Sequence, residues 1–315
     1  MWPHHLECCG FILEIFKEDD VVIYYDDDPY DWFTYFKKNG YKFTIVKLYR
    51  DSMHEKVKNE INLYDRVINL NSHLASVSYY HARNKDKVWE IYHGENLKKR
   101  DYNKHIKNGI KFKKGMNILR DRPYKREVHI APMYNYNKTN VVVFKNMVSN
   151  RRRILFMGWC GKMKEIYAKN FTLPWQRVLD YDIDFFITVQ GSQGRTNRDL
   201  LMRDHRVFYN LKSGMIPYIL KDVKYIMIRP MHEDCHGMVW SGAITLAFAH
   251  NIPIIISNKK KRELGVPGIG YNYQYNEVYD RINKMSLREY KLEVDKIKLY
   301  KEYFITWGRK ILRGN

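Results

Sequence analysis

The fold is decided by residues 225–257, which read YIMIRPMHEDCHGMVWSGAITLAFAHNIPIIIS. The stretch begins with the apolar run Tyr225–Ile228 and ends with a second apolar run, Ile254–Ser257. Between them, a polar loop follows Arg229 and Pro230, and a strongly apolar segment then covers residues 238–250. Two short apolar runs on either side of an apolar helix are typical of parallel strands buried on both faces. The stretch therefore predicts one β-α-β unit of a parallel sheet.

The same alternation continues on both sides of this unit. In the second half of the chain it predicts further strands at residues 154–157, 185–189 and 207–209, and helices at residues 162–169, 197–202 and 216–221. In the first half it predicts strands at residues 21–25, 43–48, 66–70, 88–92, 127–131 and 141–144, and helices at residues 30–38, 74–81 and 96–107. Two successive series of this kind predict an α/β protein of two Rossmann-like domains facing a cleft.

A polar segment, KNMVSNRRR at residues 145–153, separates the two series and predicts a linker. We expect an N-terminal, acceptor-side domain over residues 1–148 and a C-terminal domain over residues 149–285. The sequence S-L-R-E, which starts at Ser286, is a capping box and predicts the start of a long helix. We expect this helix, residues 286–315, to pack at the domain junction.

Composition and cysteine usage limit the class of protein. The chain has 315 residues, of which 45% are hydrophobic, as in globular proteins. No segment approaches the roughly 18 apolar residues of a membrane-spanning helix, and MWPHHLECCG at the start lacks the pattern of a secretory signal. The 4 cysteines form no C-x-x-C pair, which indicates free thiols. We therefore expect a cytoplasmic protein in a reducing compartment.

The charge of the chain is strongly positive. Its 55 Lys and Arg residues against 35 Asp and Glu give a net charge of +20. Such a charge attracts anionic substrates, membrane surfaces or nucleic acids. The basic residues are spread along the chain without a nucleic-acid motif, and the composition also fits an AT-rich genome. The charge still motivates the hypothesis of a transferase that modifies nucleic acid. Salt-dependent binding to duplex DNA would test it.

The loop and helix after Pro230 have the features of a phosphate site. Backbone N–H groups in the first turn of a helix are unpaired and carry partial positive charge. Gly237 leads into the predicted helix, and the small residues Ser241 and Gly242 would let a ligand approach its backbone. Small residues also let a helix pack tightly on a sheet, and that alternative stays open.

The motif P-x-x-E, H-G-x-x-x-S-G-A-x-x-L-A and P-I-I-x-S resembles the nucleotide-sugar site of GT-B glycosyltransferases, most closely the retaining group around family 4. The resemblance implies that Glu233 lies near the donor sugar as a catalytic residue. It also implies that His236, Gly237 and Met238 form the diphosphate loop, with Gly242 in the same motif. The second Glu of the family, which holds the ribose, is replaced here by Ser241.

Weaker similarities extend this donor site. The segment FMGWCGKMKEIY at residues 156–167 resembles the Gly loop and Lys-bearing helix that begin the C-terminal half of such enzymes. The further donor-contact candidates follow the predicted strands at residues 154–157 and 185–189; they are Gly158, Lys162, Gln190, Gly191 and Arg195. Lys162 and Arg195 would pair with phosphates, although an arginine that often accompanies the lysine is absent. Gln190-Gly191 also fits a plain turn, and Arg195 a solvated charge.

Two features of the N-terminal half concern the acceptor side. His93 directly follows a predicted strand and matches a catalytic, cleft-facing histidine of several GT-B enzymes, although a lone histidine is often structural. The segment YDDDPYDW at residues 25–32 could line the acceptor site. Its aspartates would equally cap the next helix, which we consider the better interpretation.

A rival motif overlaps the donor loop. Residues 232–236 read H-E-x-x-H, the zinc metalloprotease pattern, in which both histidines lie on one helix face. Pro230 stands just before this pentapeptide and Gly237 directly after it, which leaves too short a helix for that geometry. A zinc metallohydrolase is therefore a minor hypothesis, as is adventitious zinc capture by His232, Cys235 and His236.

These observations predict a glycosyltransferase that takes a sugar from a nucleoside diphosphate sugar without a metal or other cofactor. Retention of configuration is implied by the family resemblance alone. The acceptor could be a glycan, a protein or a lipid-linked molecule. The main alternative is a non-catalytic protein that binds nucleotide sugars, because the second Glu and the accompanying arginine are missing.

Overall fold

A computed structural model describes most of the chain. The described residues are 6–26, 28, 31–70, 72–92, 108–112, 126–136, 154–157, 185–189, 207–209, 213–221, 223–228, 242–272 and 275–314.

The first half of the chain alternates helices and parallel strands. In chain order its elements are α1 (Leu6–Ile15), β1 (Val22–Tyr25), α2 (Trp32–Lys38), β2 (Thr44–Lys47), α3 (Arg50–Glu60), β3 (Val67–Asn69), α4 (Ser72–His81), β4 (Val88–Tyr92), β5 (Asn108–Phe112) and β6 (Arg126–Ile130). Strands β1 and β2 form a parallel pair, and β3, β4, β5 and β6 form a parallel sheet in that order. Neighbouring parallel strands require crossover connections, and α2 and α4 supply those from β1 to β2 and from β3 to β4.

The second half forms one six-stranded parallel sheet. Its elements are β7 (Ile154–Met157), β8 (Phe185–Val189), β9 (Val207–Tyr209), α5 (Ile216–Leu220), β10 (Tyr225–Ile228), α6 (Gly242–Ala249), β11 (Ile254–Ser257), α7 (Asn258–Leu264), β12 (Ile269–Tyr271), α8 (Tyr275–Lys284) and α9 (Leu287–Arg313). The strand order is β12-β11-β10-β7-β8-β9. The chain thus starts in the middle of the sheet, runs out through β9, and returns to β10. This is the doubly wound order of a Rossmann fold.

The centre of this sheet is buried on both faces. All four residues of β10 are buried, and Ile254, Ile255 and Ile256 of β11 are at most 1% exposed. Helix α6 is buried around its whole circumference from Ile244 to its end. A helix or strand without a polar face must lie inside the protein, which explains the continuous apolar runs in this part of the sequence.

Helix α9 contacts both halves of the chain. Ser286 and Glu289 form the predicted capping box, in which each side chain accepts a hydrogen bond from the backbone N–H of the other residue. The helix packs against α1 and α6. The two helices α9 and α1 approach closely at Gly308, where an added Cβ would lie only 2.5 Å from Phe11 Cζ. Among the described helices, none combines the length and the apolar character needed to cross a bilayer.

The predicted fold class is confirmed: parallel sheets alternate with helices, and a long C-terminal helix follows. The sequence interpretation missed six of these elements, which are α1, α3, β5, α7, β12 and α8. The predicted strand at 141–144, the linker at 145–153 and the helices at 96–107, 162–169 and 197–202 lie outside the described residues. The domain limits therefore stay predictions. Cys8 and Cys9 are free, buried thiols, as expected.

Candidate functional site

The two central strands of the C-terminal sheet end side by side. In the parallel register, Met157 at the end of β7 is the partner of Ile228 at the end of β10 and of Thr188 in β8. The strand order reverses between β7 and β10. In sheets of this type, ligands bind outside the carboxyl ends of the strands at the point of reversal. The topology therefore marks this edge as the candidate site.

Three of the predicted site segments continue directly from these strand ends. In the sequence, Gly158 follows Met157, Gln190 follows Val189, and Glu233 comes five positions after Ile228. The strand ends themselves are described, whereas those three site residues lie outside the described residues. The three strand ends that precede these segments in the sequence lie at one edge of the sheet.

The first turn of α6 lies at the same edge. Because α6 connects the neighbouring parallel strands β10 and β11, it runs back along the sheet and begins at the carboxyl edge. Gly242 is exposed and Ala243 is half-buried, whereas the residues that follow are buried. The open end of α6 is thus its amino-terminal turn, where unpaired N–H groups favour an anion.

Gly242 is the one predicted site residue that falls within the described ranges. The other predicted site residues lie outside them; they are His93, Gly158, Lys162, Gln190, Gly191, Arg195, Glu233, His236, Gly237, Met238 and Ser241. Their roles remain predictions, as does the zinc alternative at His232, Cys235 and His236. Within the described residues, no group of three or more His, Cys, Asp or Glu side chains is arranged to hold a metal ion.

Asp28, in the acidic segment after β1, caps helix α2. Asp28 Oδ1 accepts a hydrogen bond from the Trp32 N–H, and its Oδ2 accepts one from the Phe33 N–H, both at 3.1 Å. This geometry confirms the capping interpretation for Asp28. Asp31 lies near the other half of the chain, since a Cβ on Gly214 would be 3.8 Å from Asp31 Oδ2.

A buried aromatic cluster that the sequence interpretation missed joins the two halves. The Tyr35 hydroxyl in α2 lies 2.9 Å from Nε2 of His250, which follows α6. The Tyr136 ring stacks on the His250 ring at a centroid distance of 4.2 Å. The backbone N–H of Tyr136 donates a hydrogen bond to the Ala249 carbonyl at 3.0 Å. Burial, aided by the charge of Lys301, lowers the pKa of His250 to about 3. The ring is therefore neutral.

A buried carboxylate makes a second connection between the halves. Glu14 in α1 is 4% exposed. Its Oε2 accepts hydrogen bonds from the Tyr41 hydroxyl at 2.5 Å and the Asn135 N–H at 3.1 Å, and Arg309 of α9 lies 3.4 Å from Oε1. Donors on several sides compensate the cost of burying the charge. Burial and the nearby Glu14 charge raise the pKa of Tyr41, so its hydroxyl stays protonated as a donor.

Comparison with known proteins supports the fold. No family model and no curated protein matches the chain. Among solved structures, the chain is similar to Anabaena Alr3699/HepE in complex with UDP-glucose, with 12% identity, a TM-score of 0.62, and coverage of 99% of this chain and 96% of that one. It is also similar to Arabidopsis thaliana UGT89C1 complexed with UDP, with 7% identity, a TM-score of 0.55, and coverage of 98% and 96%.

A third similar structure is S. aureus MnaA with UDP, at 11% identity and a TM-score of 0.51, with coverage of 99% of this chain and 94% of that one. At these identities the likeness is one of fold. It extends over nearly the whole chain, and it confirms the predicted GT-B-like arrangement of two Rossmann-like domains.

Proposed function

We propose that this protein is a glycosyltransferase that binds a nucleoside diphosphate sugar at the carboxyl edge of the C-terminal sheet. One observation carries the proposal. The end of β10 at Ile228 and the start of α6 at Gly242 both lie at the edge where the strand order reverses. The residues between these two points, 229–241, contain the whole motif of Glu233, Gly237 and Ser241. The proposed donor motif is therefore connected at both ends to elements that reach the edge where sheets of this type bind ligands.

The proposed chemistry is the departure of a diphosphate from the donor sugar. Unpaired N–H groups near Gly237 and Met238, together with the Lys162 ammonium, would stabilise the charge that develops on the diphosphate. Glu233 would act close to the sugar. Ser241 would bond the ribose with a single hydroxyl. His93, which directly follows β4, would act from the acceptor side.

Uridine diphosphate sugars are the first donors to test. The similar structures of HepE, UGT89C1 and MnaA contain UDP-glucose or UDP. Retention of configuration and independence of metal are parts of the same proposal. They rest on the resemblance of the motif, and product stereochemistry and chelation by EDTA would test them.

A non-catalytic nucleotide-sugar-binding protein is the second candidate. Ser241 stands where the family that the motif resembles has a Glu that holds the ribose, and a hydroxyl is a weaker acceptor than a carboxylate. Binding of a nucleotide sugar without transfer or hydrolysis would favour this candidate. Transfer to a glycan, protein or lipid-linked acceptor would exclude it.

The deciding experiment is a thermal-shift screen of nucleotide sugars on wild type and on Gly237→Val. A ligand at about 100 times its Kd stabilises the native state by about 2.7 kcal/mol, which gives a clear rise in Tm. We expect a rise with wild type and none with Gly237→Val, because the added side chain obstructs the diphosphate. Thr44→Val introduces the same side chain at an exposed position of β2 and should respond as wild type. If no nucleotide sugar raises the Tm of wild type, the proposal fails.

A further inference from the structure

Helix α9 has a second apolar face, opposite the one that it buries. Four large apolar side chains lie along its outer side: Leu292 is 53% exposed, Leu299 68%, Tyr303 62% and Trp307 38%. Their spacings of 7, 4 and 4 residues keep them on one side of a helix. We call these four residues the outer stripe. The opposite side of α9, with Tyr290, Ile297 and Phe304 among others, is buried in the core.

The outer stripe is where polar residues would be expected. A helix on the surface of a globular protein normally turns a charged or polar face to water. Here the apolar side chains run along the middle of the exposed face for about 22 Å. Aligned and exposed side chains of this size mark a site of interaction with a partner or a membrane.

Cationic side chains flank the outer stripe. The exposed cations of α9 are Arg288, Lys291, Lys296, Lys298 and Lys310, against the exposed acids Glu289, Asp295 and Glu302. Within the helix, Lys296 pairs with Glu293 and Lys298 pairs with Asp295. Near the start of the stripe, a hollow of about 450 Å³ is lined by Leu287, Arg288, Lys291, Leu292 and Asp295. Both apolar and cationic groups thus face outward together. The chain as a whole carries a net charge of +20.

The spacing of apolar residues in the outer stripe does not fit a coiled-coil interface between two copies of α9. A coiled-coil interface needs apolar residues at alternating spacings of three and four. The positions that would complete such a seam carry Lys296, Thr306 and Lys310. Lysines that stretch away from an apolar stripe can reach lipid headgroups while the stripe enters the bilayer surface. Tyr303 and Trp307 are also of the types that favour the membrane–water interface.

We propose that the outer stripe docks α9 on an anionic lipid bilayer, with the helix axis in the plane of the membrane. Leucine, tyrosine and tryptophan side chains enter the headgroup region, and exposed cations outside the ion pairs within the helix, such as Arg288 and Lys310, bind lipid phosphates. The proposal is independent of the nucleotide-sugar site, since it concerns a different surface and needs no donor to test.

The test is cosedimentation of the full-length protein with vesicles. Vesicles of phosphatidylcholine alone are compared with vesicles that also contain phosphatidylglycerol, at low and high salt. We expect binding to the anionic vesicles, weakened by salt because part of the attraction is electrostatic. The triple variant Leu292→Ser, Leu299→Ser, Tyr303→Ser should bind at least about tenfold more weakly, since burial of three apolar side chains is lost.

The matched control is the double variant Tyr49→Ser, Leu63→Ser, which removes apolar side chains that are 82% and 76% exposed on other elements. It should bind as wild type does. Circular dichroism checks that each variant keeps its helix content and melting transition. Failure of wild type to bind anionic vesicles, or equal binding by the triple variant, would overturn the proposal. So would sedimentation showing a vesicle-free dimer that the triple variant dissociates, because the face would then be an interface between copies.

Discussion

The hydroxyl of Tyr35 and the Nε2 of His250 lie 2.9 Å apart, although the residues are separated by 215 positions in the chain. Both side chains are fully buried. Tyr35 belongs to a helix of the first half, and His250 directly follows the central helix of the second half, so the contact fixes α2 against the end of α6. Burial raises the pKa of Tyr35 well above its ordinary range, so the hydroxyl stays protonated. The two halves thus share a neutral polar contact inside the core.

Removal of the Tyr35 hydroxyl should destabilise the protein. Tyr35→Phe keeps the ring and leaves a ring nitrogen of His250 buried without this hydrogen bond. We expect the free energy of unfolding to fall by about 1–2 kcal/mol, the usual cost of an unsatisfied buried polar group. Urea denaturation measures the change. Tyr303→Phe, which removes the hydroxyl of a residue that is 62% exposed, is the control and should have no measurable effect. Equal effects of the two variants would contradict the assigned role of the contact.

The lowered pKa of His250 should reduce the free energy of unfolding at mildly acidic pH. The pKa of its side chain is about 3 in the folded protein, below the ordinary value of 6.5, because the ring is buried and Lys301 is near. The unfolded chain therefore binds a proton at a pH where the folded state does not. As the pH falls from 7 to 5, we expect this residue to lower the free energy of unfolding by about 2 kcal/mol.

The measurement for His250 is the difference in pH dependence between wild type and His250→Gln. Glutamine is neutral at every pH in the range, so the variant should lack this contribution while the other titrating groups cancel. Denaturant unfolding at pH 7, 6 and 5 gives the two slopes. Parallel curves for the two proteins would show that His250 takes up its proton in the folded state as easily as in the unfolded state.

The contact between α9 and α1 should be too tight to accommodate one additional methyl group. A Cβ on Gly308 would lie 2.5 Å from Phe11 Cζ and 2.8 Å from Ile15 Cδ1, and both of those side chains are 0% exposed. Alanine in place of glycine favours a helix by about 1 kcal/mol. Overpacking of a buried contact costs about 1–3 kcal/mol and should prevail. We expect Gly308→Ala to lower the free energy of unfolding by about 1 kcal/mol.

The Gly308 variant has a matched control in Gly214→Ala. A Cβ at Gly214 would be 3.7 Å from Lys38 Nζ, its nearest neighbour, which is an ordinary contact distance. This variant should stay within about 0.5 kcal/mol of wild type. Addition of Phe11→Leu to Gly308→Ala should recover part of the lost stability by making room. If Gly308→Ala is as stable as wild type, the two helices are less tightly packed than this geometry indicates.

The sequence predicted those elements whose buried positions carry a recognisable run or pattern of apolar residues. Strand β11 coincides with the predicted run because IIIS is buried on both faces and bounded by Pro253 and α7. Helix α7, with the sequence NKKKREL, buries only Leu264 and has no apolar periodicity to detect. Strand β12 is three residues long, and its Gly270 carries no side chain to mark a face. The positions of short or polar elements depend on packing against neighbouring elements, and a single sequence does not show that packing.

Most of the candidate site stays a prediction, because of its residues only Gly242 lies within the described ranges. The edge of the sheet follows from strand order, and in the sequence Gly158 and Gln190 directly follow strand ends. The Tyr35–His250 contact could not be predicted, because pairing across 215 positions depends on how the two halves meet. Its one local signal is the break in the apolar run at His250 and Asn251, where Asn251 adopts a positive φ of 55°.

The roles proposed for Glu233 and Ser241 can be separated by kinetics. Glu233→Gln keeps the shape of the side chain and removes its charge. A residue near the donor sugar acts mainly on the transition state, so we expect binding within a few-fold of wild type and a kcat lower by about a hundredfold, or about 2.7 kcal/mol. Ser241→Ala should instead weaken nucleotide binding by about 1 kcal/mol, since one hydroxyl bond to the ribose is lost. Calorimetry with a nucleotide sugar measures binding, and product analysis measures transfer.

The contrast between these two variants tests the assignment of roles more sharply than either variant alone. A substitution that only disturbs the loop would change binding and kcat together in both proteins. Divergent effects, with kcat reduced in Glu233→Gln and binding reduced in Ser241→Ala, require that the two side chains meet different parts of the donor. Thr44→Val, at the exposed position on β2, should leave both quantities unchanged. If Glu233→Gln transfers sugar at the wild-type rate, Glu233 is not the residue beside the reacting sugar, and the resemblance to the retaining family does not extend to mechanism.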